Sequence, residues 1–214
     1  MKTNKELVDE IRKKAKYYLD EKDRDSRVLE AMSSVDRADF VPADSKYVAY
    51  NDNPVSIGYS QTCSQPSMVA FMLDKLEINP GDIIFEIGAG CGYACAIASL
   101  LCRPGMVYAS EIIPELADMM RMNLAAYMEN ISIITGDGSA GFPEYVPYDR
   151  IFISAGVAGN TFDPSILLTQ IKDGGILLYP ENFGNLYKLK KNRDKIITET
   201  FYGVSFVPLK GINS

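Results

Sequence analysis

The segment Phe85-Glu86-Ile87-Gly88-Ala89-Gly90-Cys91-Gly92 sets a carboxylate beside three glycines at alternate positions. The apolar run Ile83–Ile87 reads as a strand, and the small residues beyond Gly92, as far as Leu101, read as a helix. Glycines at such a junction let the backbone turn sharply and approach a ligand, and the helix start offers free N–H groups. In a doubly wound sheet this is the crevice where nucleotides bind. The spacing is G-x-G-x-G, not the G-x-G-x-x-G that cradles a pyrophosphate, and no G-x-x-x-x-G-K-[ST] is present.

A cofactor without phosphates fits this loop better. S-adenosylmethionine, which leaves as S-adenosylhomocysteine, has an amino-acid end, a sulfonium and an adenosine. Glu86 is placed to face its ammonium, with Gly88, Ala89, Gly90 and Gly92 as the cradle. Glu111 closes the next strand, with Ile112 beside it, and a carboxylate there accepts both ribose hydroxyls. Asp137, in Gly136-Asp137-Gly138 after the third strand, is placed to receive the adenine amino group. Each has a plainer reading alone: a glycine turn, a solvated strand end, a second turn. Falling after successive strands, together they favour the nucleoside cofactor.

The chain contains no histidine, which removes Ser-His-Asp and Cys-His hydrolases and imidazole general-base chemistry. Cys63, Cys91, Cys95 and Cys102 lack paired C-x-x-C spacing, so they read as reduced, buried thiols, and no metal site is expected. With 22 Lys+Arg against 28 Asp+Glu the net charge is −6, which disfavours nucleic acid as a partner. The polar N-terminus is no secretory signal, and no apolar run approaches bilayer length, so a cytoplasmic protein with no membrane partner is expected.

The elements that must position these residues follow from periodicity. Leu7, Ile11, Ala15 and Leu19 share one helical face, and Asp25 or Ser26 is placed to cap a second helix carrying Val28, Ala31, Met32 and Val35. Nothing catalytic is visible there. Between Val41 and Pro66, prolines, Gly58 and polar residues break the pattern; the stretch is either a connector or a functional loop. After a helix through Met68–Leu76 the chain alternates. Strands at Ile83–Ile87, Met106–Glu111, Ile131–Thr135, Arg150–Ser154 and Ile176–Tyr179 are separated by helices, including Pro114–Met128 and Ser165–Lys172. Leu186–Lys190 and Ile196–Val204 read as antiparallel edge strands. The fold class is therefore α/β: a doubly wound, mostly parallel sheet with helices on both faces, antiparallel strands at its C-terminal edge and a helical N-terminal preface.

Three segments carry a family resemblance: Ile57-Gly-Tyr-Ser-Gln-Thr-Cys-Ser64-Gln-Pro66, Phe85 to Tyr93, and Val204-Ser-Phe-Val-Pro-Leu-Lys-Gly211. With them the chain resembles the protein-L-isoaspartate O-methyltransferases from about Val28 to Gly211. The resemblance implies one S-adenosylmethionine-dependent domain over 1–214, with N-terminal helices and substrate loop in 1–65, cofactor core in 66–180 and antiparallel strands in 181–214. It implies methyl transfer to the α-carboxylate of isoaspartyl residues in damaged proteins and peptides. It places Gln61, Thr62 and Ser64 over the cofactor, with Ser64 orienting the substrate, and puts substrate contacts at Ile57, Val204, Phe206 and Val207. Ser64 or Gln65 also reads as the cap of the helix starting at Pro66. Val204–Leu209 reads equally as a plain edge strand and as one that pairs with a bound peptide.

Several residues depart from the family pattern: Ser60 stands where Gly is usual, Cys63 where Ile or Val is usual, Ser67 where a larger residue is common. Residues 155–160 and Tyr179–Asn182 also differ. These departures keep two other readings open, a cofactor-binding protein that does not methylate and a methyltransferase for another carboxylate. A nicotinamide dehydrogenase lacks its glycine spacing, and a nucleic-acid methylase lacks an Asn/Asp-Pro-Pro-aromatic stretch.

Overall fold

The computed structural model describes residues 2–15 and 27–214. Helix α1 (Asn4–Ala15) turns Leu7, Val8 and Ile11 inward, and α2 (Arg27–Ser33) adds Val28, Leu29, Ala31 and Met32. Leu19 and the Asp25/Ser26 cap lie outside the described residues. Two 3-10 turns, Arg37–Phe40 and Ala43–Val48, lead into the irregular stretch. That stretch contains a small antiparallel hairpin, β1 (Val55–Gly58) with β2 (Gln61–Cys63). Gly58, Tyr59 and Ser60 turn it at φ of 89°, 53° and 59°.

Helix α3 (Pro66–Lys75) begins with its proline in the first turn, where a missing N–H costs nothing. Gln65 takes the expected N-cap position, but no side-chain capping bond comes from it or from Ser64. Asp52 reaches in from the loop, and its Oδ1 accepts the Ser67 N–H at 2.9 Å.

The alternating part then runs β3 (Ile83–Ile87), α4 (Tyr93–Cys102), β4 (Met106–Glu111), α5 (Pro114–Asn123), β5 (Ile131–Thr135), β6 (Tyr148–Ile153), α6 (Ser165–Leu168) and β7 (Ile171–Pro180). It ends in β8 (Phe183–Asn192) and β9 (Lys195–Ser205). Two helices are shorter than their periodicity predicts. α5 stops at Asn123, where Leu124 leaves helical geometry and tight turns carry the chain to Asn130. α6 is a single turn, because Ile171 already belongs to β7 and pairs with Tyr148.

The seven strands lie in the order β5-β4-β3-β6-β7-β8-β9, parallel through β7 and antiparallel beyond it. Ile84, Phe152, Ile176 and Leu178 face a core shared with α1–α5. Phe85, Ile87, Ile151, Ile153 and Leu177 face the other way, under Leu167 of α6 and the rings of Phe142 and Tyr145. The strand order reverses between β3 and β6, which opens a crevice at their C-terminal ends. After β9 the chain crosses that crevice: Gly156 N–H donates to the Val207 carbonyl at 2.7 Å, and Leu209 N–H donates back to Gly156 at 2.6 Å. No helix among the described residues is long and apolar enough to cross a membrane.

Candidate active site

Beyond β3 the chain turns through Gly88, Gly90 and Gly92, at φ of 73°, 57° and 87°. Gly92 is needed twice over, because a Cβ there would also lie 2.9 Å from Met120 Cγ. A Cβ on Gly138, across the crevice, would stand 2.0 Å from the Ser110 hydroxyl. Both glycines let neighbouring segments pack closer than a side chain would allow. Between the loop and the strand ends lies a cleft bordered by Gly88, Gly90, Glu111, Ile112, Gly138 and Leu209.

Glu111 fixes the loop to the end of β4. Its Oε2 accepts the Gly90 N–H and its Oε1 accepts the Ile113 N–H, each at 2.9 Å. Each oxygen keeps a further lone pair.

Glu86 is fully buried on β3. Ser154 Oγ donates to its Oε1 at 2.6 Å, while Oε2 has no partner. Burial pushes the carboxyl up to about 8; the Ser154 hydrogen bond pulls it down, and the Glu111 charge adds to the rise. It borders a small cavity shared with Thr62, Ser64, Ala89 and Tyr93. At neutral pH the buried acid keeps its proton, and a cation beside it would draw that proton off and pair with the charge.

A third, wider groove runs past Pro54, Ser64, Met68 and Phe183 to Val204, Phe206 and Val207. Thr62 lines all three spaces, and Ser64 lines the groove and the Glu86 cavity. Among the described residues the Ser64 hydroxyl makes no hydrogen bond, whereas its carbonyl is held by Arg37.

Arg37 carries no sequence signal of a functional role. Its guanidinium is wholly buried and donates to the carbonyls of Ala49, Asn51, Asn53, Cys63 and Ser64 at 2.7–3.3 Å. One cation thus gathers the backbone of the whole loop that presents Thr62 and Ser64. Ser154, at the end of β6, was legible only as a strand terminus; its role appears through Glu86.

The profile of the protein-L-isoaspartate(D-aspartate) O-methyltransferase (PCMT) family matches residues 2–214. The chain belongs to this family. A protein-L-isoaspartate O-methyltransferase of Methanothrix thermoacetophila is 44% identical over 189 residues, covering 86% of this chain and 88% of the relative. Protein-L-isoaspartate O-methyltransferase 2 of Nitrosococcus oceani is 38% identical over 219 residues, covering 99% and 98%. Among solved structures, one from Plasmodium falciparum, assigned as the same enzyme in complex with S-adenosyl-L-homocysteine, superposes with a TM-score of 0.83 at 24% identity. That match covers 98% of this chain and 99% of the other, and it shows the shared fold.

Within this PCMT family member, the residues singled out in the sequence divide by position. Gln61, Thr62, Gly88, Gly90, Glu111, Ile112 and Gly138 border the cleft, and Glu86 and Ala89 border the cavity behind it. Val204, Phe206 and Val207 border the groove. Three lie elsewhere. Ile57 is buried against the glycine loop, its Cδ1 3.3 Å from where a Gly90 Cβ would be, so it supports the loop from beneath. Gly92 starts α4 and borders none of the three spaces. Asp137 lies between Gly136 and Gly138 at the rim: Oδ1 accepts from Ser139 N–H at 2.9 Å and Oδ2 from Ile212 N–H at 2.8 Å, holding the C-terminal segment against the turn, and each oxygen keeps a further lone pair.

Proposed function

We propose that the protein methylates the α-carboxylate of isoaspartyl residues in damaged proteins and peptides, using S-adenosylmethionine. Bound there, the cofactor supplies a methyl group activated by a sulfonium. Glu86 would hold its ammonium, Glu111 its ribose, and Gly88, Gly90, Ile112 and Gly138 its remaining surface. The fit is supported by Glu86 Oε2, which is buried without a donor, and by Gly88, Gly90 and Gly138, which border the cleft without side chains.

The chain's own part in the reaction is positional. A carboxylate with an ordinary pKa near ~4 is already ionised at neutral pH, so no base is required of a chain without histidine. Ser64 donates a hydrogen bond that orients the nucleophile without quenching it. Thr62 stands where the groove meets the cofactor spaces, and the loop tied by Arg37 keeps both in register. Excluding water from the carboxylate and aligning it for in-line attack contributes several kcal/mol, on the order of 5. Backbone of Val204–Val207 pairs with the peptide, giving affinity without sequence preference. In this reading 1–65 brings the substrate loop, 66–180 the cofactor core and 181–214 the peptide edge of one domain.

The observation that carries the proposal is the junction at Thr62 and Ser64, one loop bordering both the cofactor spaces and the groove. The test is transfer of labelled methyl to matched peptides carrying isoaspartate or normal aspartate. Base-labile ester on the isoaspartyl peptide alone is the expected result. No ester on either, with the cofactor shown to bind, would leave a cofactor-binding protein or a methyltransferase for another carboxylate.

A further inference from the structure

Cys63 and Cys91 come from different elements and meet in the same place. Cys63 ends β2, between Thr62 and Ser64; Cys91 lies inside the glycine turn, between Gly90 and Gly92. Both are buried free thiols and both border the Glu86 cavity. Each thiol is the largest influence on the titration of the other, as neighbours in that shared wall would be. The hairpin is pressed onto the glycine turn, with Ile57 Cδ1 3.3 Å from where a Gly90 Cβ would stand, so the two segments that carry the thiols are packed together.

We propose that Cys63 and Cys91 form a redox-active dithiol, which a hydroperoxide converts to a disulfide that fastens the substrate loop to the cofactor loop.

The surroundings favour chemistry at Cys63. The Arg37 guanidinium donates to the Cys63 carbonyl, and its Nε has no partner. The neighbouring Cys91 side chain and the Arg37 charge draw the Cys63 thiol below its ordinary range despite burial, whereas Cys91 is pushed up. Cys63 is therefore the attacking sulfur and Cys91 the resolving one. The Cys63 thiolate attacks one oxygen of hydrogen peroxide; the O–O bond breaks, hydroxide leaves and takes up a proton as water, and Cys63 becomes a sulfenic acid. The Cys91 sulfur then attacks that sulfur, and the sulfenic hydroxyl leaves with the Cys91 proton as a second water. Two thiols and one peroxide give one disulfide and two waters, with two electrons passing from sulfur to oxygen.

Each sulfur is flanked by residues that border the cofactor spaces, so the crosslink changes the cavity between them. A cofactor seated there would in turn cover both thiols. That consequence rests on the reading of the cleft given above; the crosslink itself does not.

The test uses the full chain, treated with hydrogen peroxide with and without S-adenosylhomocysteine, then alkylated and weighed intact. The expected result is two fewer alkyl groups and a loss of about 2 Da from the chain itself, both reversed by a thiol reductant, with peptide mapping joining the segments around Cys63 and Cys91. S-adenosylhomocysteine slows the change, and the oxidised protein binds it at least about tenfold more weakly. Cys63→Val, and independently Cys91→Ala, abolish the mass change, and whichever variant folds keeps its affinity through peroxide treatment. The proposal is overturned if both cysteines remain alkylatable, if Cys63 accumulates as sulfinic acid, or if the bridge involves Cys95 or Cys102. None of these readouts depends on whether the protein methylates isoaspartate.

Discussion

Glu86→Gln should make the cofactor-free protein more stable while weakening its cofactor. The carboxyl titrates near 4.5 in the unfolded chain, whereas burial raises it to about 8 in the fold. Below the lower value both states hold the proton, and the acid costs nothing. Between the two values the unfolded chain gives up a proton that the folded one retains, so stability falls as pH rises. Above the higher value the fold carries a buried charge and the loss is complete. At about 1.4 kcal/mol per pH unit the full penalty is on the order of 3–5 kcal/mol. Glutamine has the shape of the protonated acid: its carbonyl accepts from Ser154 as Oε1 does, and its amide takes the place of the partnerless Oε2. Urea melts without cofactor should therefore coincide for the two proteins near pH 4.5. At pH values around ~8 the variant should be more stable by a few kcal/mol. In the same comparison, S-adenosylhomocysteine affinity at neutral pH should drop about 10- to 100-fold, the value of a charged hydrogen bond in a dry site. A wild type as stable as the variant at the higher pH would refute the claim that Glu86 is held in the fold at the expense of stability.

Ser64→Ala should lower turnover about 10- to 100-fold with cofactor affinity nearly unchanged, since it removes one hydrogen bond to a charged substrate; equal losses in both would remove Ser64 from its assigned role. Arg37→Met strips the donor from five loop carbonyls and should cost about 3–5 kcal/mol in a urea melt. A loss below about 1 kcal/mol would mean that the loop holds itself. Gly92→Ala combines a φ of +87° with a Cβ 2.9 Å from Met120 Cγ, and should destabilise by about 2–4 kcal/mol. An unchanged melting midpoint would show that α5 yields freely.

Strands β3 and β4 were legible to the residue, because a strand buried in a parallel sheet is a continuous apolar run bounded by turn residues. The hairpin of β1 and β2 was not. Three or four residues, half of them polar, hold too little alternation, and its register rests on pairing between Val55 and Cys63. α5 was read too long because Leu124 and Met128 continue its apolar spacing, although the helix has already ended at Asn123. At the site, Glu86, Glu111 and the glycines announced themselves by following successive strands. Arg37 did not: an arginine satisfied by carbonyls up to 27 residues away looks in sequence like any surface charge. The partner of Asp137 was equally hidden, because Ile212, whose N–H it accepts, lies 75 positions along the chain.

Val207 and Pro208 border the cofactor cleft on one side and the substrate groove on the other. The two ligands therefore share a partition rather than facing separate walls. A peptide that firms this strip prepares it for the cofactor, and a cofactor that firms it prepares it for the peptide. Linkage makes the two effects equal: whatever factor one ligand adds to the affinity of the other is returned in full.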